Sequence, residues 1–149
     1  MKLNKLHSSE NIDFYSAIVE SELELPFVSS EISAGFPSPA DDFIDTGIDL
    51  NKELIKNPYS TFYGRVRGDS MKDLGIHNGD LLVIDKSLEP QNGKIAVCYI
   101  DGEFTVKTIK IENDCCWLVP ANENYKPIKV TADNNFMVWG IVINVIKYF

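Results

Sequence analysis

From Thr61 to the C-terminus, apolar residues come in short runs separated by glycine-bearing turns, a spacing that suits strands and leaves no room for long helices. The runs cover residues 61–67, 81–85, 94–100, 103–111, 116–119 and 136–145. Gly79-Asp80 and Asn92-Gly93 mark turns between them. Asp101-Gly102 joins two runs directly, and because both residue types tolerate positive φ this predicts a tight hairpin. Short strands without helical crossovers predict a mainly β domain, a curled and partly barrel-like sheet rather than a parallel one.

The residues before this region read differently. Residues 1–33 are rich in Ser, Glu and Asn, with one apolar patch at Phe14, Tyr15, Ile18 and Val19, and they read as a flexible N-terminal arm. The spacing of Phe14, Ile18 and Leu25 suggests a helical turn that gains its order by docking, since so short a helix is marginal alone. Next, Ala34-Gly35-Phe36-Pro37-Ser38-Pro39-Ala40 carries two prolines and a glycine, which exclude regular helix and favour an extended, accessible segment. Residues 41–59 read as a short strand and a helical turn that stops before Pro58. A chain of 149 residues suffices for one domain with a hydrophobic core plus an arm.

Composition narrows the function. Apolar residues at 44% and charged residues at 24% are values of a soluble globular protein, so the chain is expected to fold. A net charge of -8 repels a phosphate backbone, and Lys107, Lys110, Lys126 and Lys129 are interleaved with acids, so no direct DNA binding is expected. Met1 to Glu10 is polar and no apolar run approaches the roughly 20 residues that span a bilayer, which points to the cytoplasm and away from a membrane. Cys98, Cys115 and Cys116 lack the spacing of zinc or redox motifs and read as reduced and structural; no metal or cofactor is expected.

Two segments carry possible chemistry. Ser70, in Gly68-Asp69-Ser70-Met71-Lys72-Asp73, lies between a strand and a short helical turn. Taken alone it reads first as a helix N-cap. There, however, it would also be held rigidly beside amides that can face a developing oxyanion, those of Ser70 and Met71. Lys107 shares a strand face with Thr105, Ile109 and Ile111, where loss of solvent disfavours its charged form and makes it a base. Alone, it reads first as an edge-strand lysine reaching out to water. Together the two gain weight, because a serine hydroxyl needs a neighbouring base and a neutral lysine is one. A rival pairing joins Ser70 to His77 with Asp73 or Asp80, but His77 sits in a turn-like stretch that favours an exposed side chain.

At this point the chain resembles a family. The Gly68-Asp69-Ser70-Met71 box, the Gly79-Asp80-Leu81-Leu82 turn and the Gly102-Glu103-Phe104-Thr105-Val106-Lys107 strand are similar to the self-cleaving Ser/Lys proteins of the LexA/UmuD family. Ala34-Gly35-Phe36-Pro37-Ser38-Pro39-Ala40 and Ile48-Asp49-Leu50-Asn51 resemble its UmuD-type branch, and a short arm stands where LexA-like repressors carry a helix-turn-helix domain. The resemblance implies a nucleophile Ser70, a general base Lys107 and a scissile Ala34–Gly35 bond. Residues 1–34 would be removed, leaving a peptidase-like β domain over residues 35–149. It further implies a homodimer, a RecA filament on single-stranded DNA as stimulator, and a UmuC-type translesion polymerase that takes up the shortened form during a DNA-damage (SOS) response. The competing reading is a non-catalytic dimeric adaptor on the same fold. The run 136–143, apolar on both faces, fits a buried central strand first and a dimer interface second.

Overall fold

The computed structural model describes residues 3–17, 24–28 and 44–149. The chain divides into two compact units: Met1–Ile18 with Asn57–Phe149, and Val19–Lys56. In the smaller unit, strands β3 (Glu24–Val28) and β4 (Ile44–Asp49) pair antiparallel. A one-turn helix α1 (Leu50–Leu54) follows, its first turn capped by the Asp49 carboxylate, which accepts from the Asn51 amide at 2.9 Å. A strand and a helical turn before Pro58 are what the sequence predicts here.

The larger unit is one antiparallel sheet. Its strands are β1 (Leu3–Ser8), β2 (Ile12–Ala17), β5 (Thr61–Val66), β6 (Leu81–Asp85), β7 (Ile95–Ile100), β8 (Glu103–Glu112), β9 (Cys115–Val119), β10 (Ile128–Val130) and β11 (Phe136–Ile146). They are ordered β1-β2-β5-β6-β11-β7-β8-β9-β10, and among the described residues nothing pairs the two ends. The expected Asp101-Gly102 hairpin is present, with φ of 47° and 91° at the two turn residues. The run over 136–143 becomes the central strand, paired with β6 on one side and β7 on the other.

The sheet is open yet strongly curled. Five strand-to-strand steps separate β2 from β8, about 24 Å if the sheet were flat. Instead the Phe14 and Phe104 rings meet edge to face with centroids 4.8 Å apart, and the Asn11 amide nitrogen donates to the Phe104 carbonyl at 2.9 Å. Curling lets both faces find cover. Ile12, Phe14, Val66, Met71, Leu82, Ile84, Val97 and Val106 form one core, while Ala96, Cys98, Ile100, Ile109, Leu118 and Ile141 form another. Along β7 and β8 successive residues alternate between the two, as the two-residue strand period requires.

The helical turn expected at Phe14 is not formed, since residues 12–17 are a strand; Ile18 lies outside the described residues. The reason lies in the partner. The free edge of β5 offers a hydrogen-bonding ladder that an isolated helical turn cannot match, and in strand geometry Ile12 and Phe14 fall on the same, inward face. Leu25 belongs to β3. Order by docking, the other half of that reading, holds for residues 3–17.

Candidate functional site

Ser70 and Lys107 come together in the larger unit. The route to Ser70 starts in β5, leaves the sheet at Arg67, turns at Gly68 with φ of 94°, and reaches a single 3-10 turn over Lys72–Leu74. That turn has Met71 as its N-cap and no side-chain cap, so Ser70 is not used as one. Its hydroxyl lies 3.0 Å from Lys107 Nζ.

Lys107 belongs to β8, an interior strand flanked by β7 and β9, and is only 6% exposed. A lysine on an edge strand could carry its ammonium to water; this one cannot. Besides Ser70, its Nζ contacts Thr105 Oγ1 and the Val106 carbonyl, the latter at 3.1 Å. All three partners are neutral. Burial therefore pushes the lysine below its ordinary value, with the nearby Cys98 acting in the opposite direction. Nζ is placed to donate to all three, the Ser70 and Thr105 hydroxyl oxygens and the Val106 carbonyl.

A small cleft beside Ser70 is lined by Asn11, Val66, Arg67, Gly68, Met71, Thr105 and Val106. Among the described residues no group accepts a hydrogen bond from the backbone amides of Ser70 or Met71, so both donors remain available there. The segment carrying Ser70 is held from behind by residues 121–125. Ala121 N–H donates to the Ser70 carbonyl and Asp73 N–H to the Ala121 carbonyl, each at 2.8 Å. Asn122, 4% exposed, donates from Nδ2 to the Asp69 carbonyl at 3.0 Å, and the Tyr125 hydroxyl donates to the Asp69 carboxylate at 2.7 Å.

His77 is engaged elsewhere. Its Nδ1 lies 3.0 Å from Lys147 Nζ, its amide donates to the Asp80 carboxylate, and Asp80 is ion-paired with Lys147. The three cysteines are free thiols; Cys98 is fully buried, and burial, aided by Cys116, pushes it up to about 12. Among the described residues no cluster of three or more metal-ligating side chains occurs, and no helix is long and apolar enough to cross a membrane. Ala34 and Gly35 lie outside the described residues.

The sequence reading missed Thr105 as a partner of the amine, although position i−2 on a strand is where such a partner falls. It also missed Asn11 and Asn122. Nothing local signals either, because each meets its partner only through the curl of the sheet or the return of a distant loop.

Comparison with known proteins decides the family. Residues 26–143 match the model described as Peptidase S24-like. The chain belongs to the peptidase S24-like family. Among its relatives, the protein SamA of Salmonella typhimurium is 44% identical over 117 residues, covering 78% of this chain and 81% of SamA. The protein MucA of Escherichia coli is 40% identical over 119 residues, covering 79% of this chain and 81% of MucA. A LexA repressor, from Alcanivorax borkumensis, is 39% identical over 145 residues, 96% of this chain and 70% of that repressor. The expected kinship with LexA and UmuD-like proteins is thus established at the level of the peptidase S24-like family.

Proposed function

We propose that this chain is a self-cleaving serine peptidase that cuts its own Ala34–Gly35 bond, with Ser70 as nucleophile and Lys107 as general base. The observation that carries the reading is the 3.0 Å contact between Ser70 Oγ and a buried lysine amine that has no acidic partner among the described residues. A lysine in an ion pair would stay charged; one held by two hydroxyls and a carbonyl loses its proton readily.

The chemistry runs in two halves. As Ser70 Oγ attacks the Ala34 carbonyl carbon, its proton passes to Lys107 Nζ, and the new oxyanion is met by the amides of Ser70 and Met71. Lys107 then returns the proton to the Gly35 nitrogen, the peptide bond breaks, and an ester joins Ala34 to Ser70. Water, deprotonated by the again-neutral lysine, hydrolyses the ester and restores the hydroxyl. Thr105 and the Val106 carbonyl hold the amine in line throughout.

In the cell the role is that of a UmuD-type protein of the SOS response, acting in the cytoplasm as a homodimer. A RecA filament on single-stranded DNA favours the conformation that brings Ala34 to Ser70, a population shift that needs no group from RecA. The 35–149 product then joins a UmuC-type translesion polymerase. Relatives such as MucA and SamA support this setting through overall similarity. The test is intact-mass analysis of the purified protein with RecA, nucleotide and single-stranded DNA. A product that begins at Gly35, absent from Ser70→Ala, is expected; a cut elsewhere, or one that persists in Ser70→Ala, rejects the assignment.

A further inference from the structure

The proposed cut falls well past Ala17, yet residues 3–17 are two strands of the large sheet. Residues 3–17 of the segment to be removed are thus built into the sheet of the larger unit, and they lie outside the 26–143 span of the family match. From Ile12 to Ser16, β2 forms a ladder with residues 62–66 of β5. Ile12 is 0% and Phe14 3% exposed. Phe14 packs against two aromatic rings, 4.8 Å from Phe104 and 4.5 Å from Trp139, which also meet each other edge to face. Ile12 fills the space beside Gly64, where an added methyl would come within 2.5 Å of its Cδ1. At the rim, Arg67 pairs with the Asp13 carboxylate, donates to the Ser9 carbonyl at 2.9 Å, and gives its amide to the Asn11 carbonyl at 2.8 Å.

None of these contacts involves the 34–35 bond. We propose that the edge of β5, with the aromatic surface made by Phe104 and Trp139, is a built peptide-binding site for the chain's own N-terminal hairpin, and that the hairpin stays bound after the backbone is cut. Strand addition supplies the affinity through the main-chain ladder, and Ile12 and Phe14 supply the specificity. The cleaved protein is then a two-chain particle whose β5 edge is still covered and whose cleft keeps Asn11 as part of its wall. This deepens the self-cleavage reading, which sets where the cut lies, but its test does not depend on that chemistry.

The test uses full-length Ser70→Ala protein with a recognition sequence for an added site-specific protease placed across Ala34–Gly35. After the cut, native mass spectrometry and gel filtration at micromolar concentration should find the fragment and the body together, one to one. A fragment that elutes alone, or a body that aggregates and leaves the fragment in solution, overturns the proposal. In the same protein Phe14→Ala should raise fragment release at least tenfold. Arg67→Gln, which alters only the rim, should raise it severalfold if Phe14→Ala does not fold. Release unchanged by whichever of these variants folds would also overturn it. Self-cleavage can fail with the hairpin retained, and the hairpin can leave with self-cleavage intact, so the two readings fall separately.

Discussion

Replacing Asn122 with Ala separates positioning of Ser70 from mere stability. The Asn122 side chain is buried and makes two hydrogen bonds: Nδ2 donates to the Asp69 carbonyl, and Oδ1 accepts from the Asn124 amide, both at 3.0 Å. Each is worth about 0.5–1.5 kcal/mol net, so truncation should cost about 2 kcal/mol and lower the melting temperature by roughly 4–8 °C. Asp69 directly precedes Ser70, so part of that loss falls on the attacking geometry. If about 1.4 kcal/mol of it does, self-cleavage slows about tenfold. The assay is the first-order appearance of the 35–149 product at alkaline pH and 25 °C, where the variant is still folded. Asn122→Asp keeps the acceptor for Asn124 but cannot donate to the Asp69 carbonyl, and should also slow cleavage. If both variants cut at the wild-type rate while the melting temperature of Asn122→Ala falls, the loop supports the fold and does not position the serine.

Other outcomes follow from the same geometry. Because burial lowers Lys107, the neutral fraction and the rate should climb about tenfold per pH unit up to its native value, then level off. For stability the sign is the same: the cost of burying the charged amine is present in full below that lowered value and is gone above about 10.4, so urea stability should rise across the interval. His77→Ala should leave the rate within about twofold of wild type, since the ring meets Lys147 and not the Ser70–Lys107 pair; a thousandfold loss would reinstate it. Gly140→Ala places a methyl 2.6 Å from Ile84 Cγ2 and 3.4 Å from the Asp85 carbonyl, and should cost about 1–3 kcal/mol in urea unfolding.

Legibility in the sequence followed the range of the contacts. From Thr61 onward each strand carries its own apolar run and glycine turn, so β5 to β9 and β11 could be read within a residue or two. β10, three residues and largely exposed, has no such run. β1 and β2 escaped because strand geometry at Phe14 is selected by the β5 edge, not by the local sequence. The Ser70–Lys107 pair was legible for a different reason: a lysine on an apolar strand face breaks the local pattern, and beside it a serine that alone reads as a cap gains weight as a partner. Asn11 and Asn122 break no rule where they stand, and only the folded chain gives them partners.

The deciding quantity is the protonation of a single amine, and it can be titrated directly. Lysine labelled at Nζ and followed by NMR in Ser70→Ala protein, with Lys107→Met to assign the signal, should give one resonance that loses its proton well below about 10.4. Its midpoint should coincide with the pH at which the wild-type cleavage rate levels off. A Lys107 that titrates with the exposed lysines, or a rate that is flat through its midpoint, would contradict a lysine base.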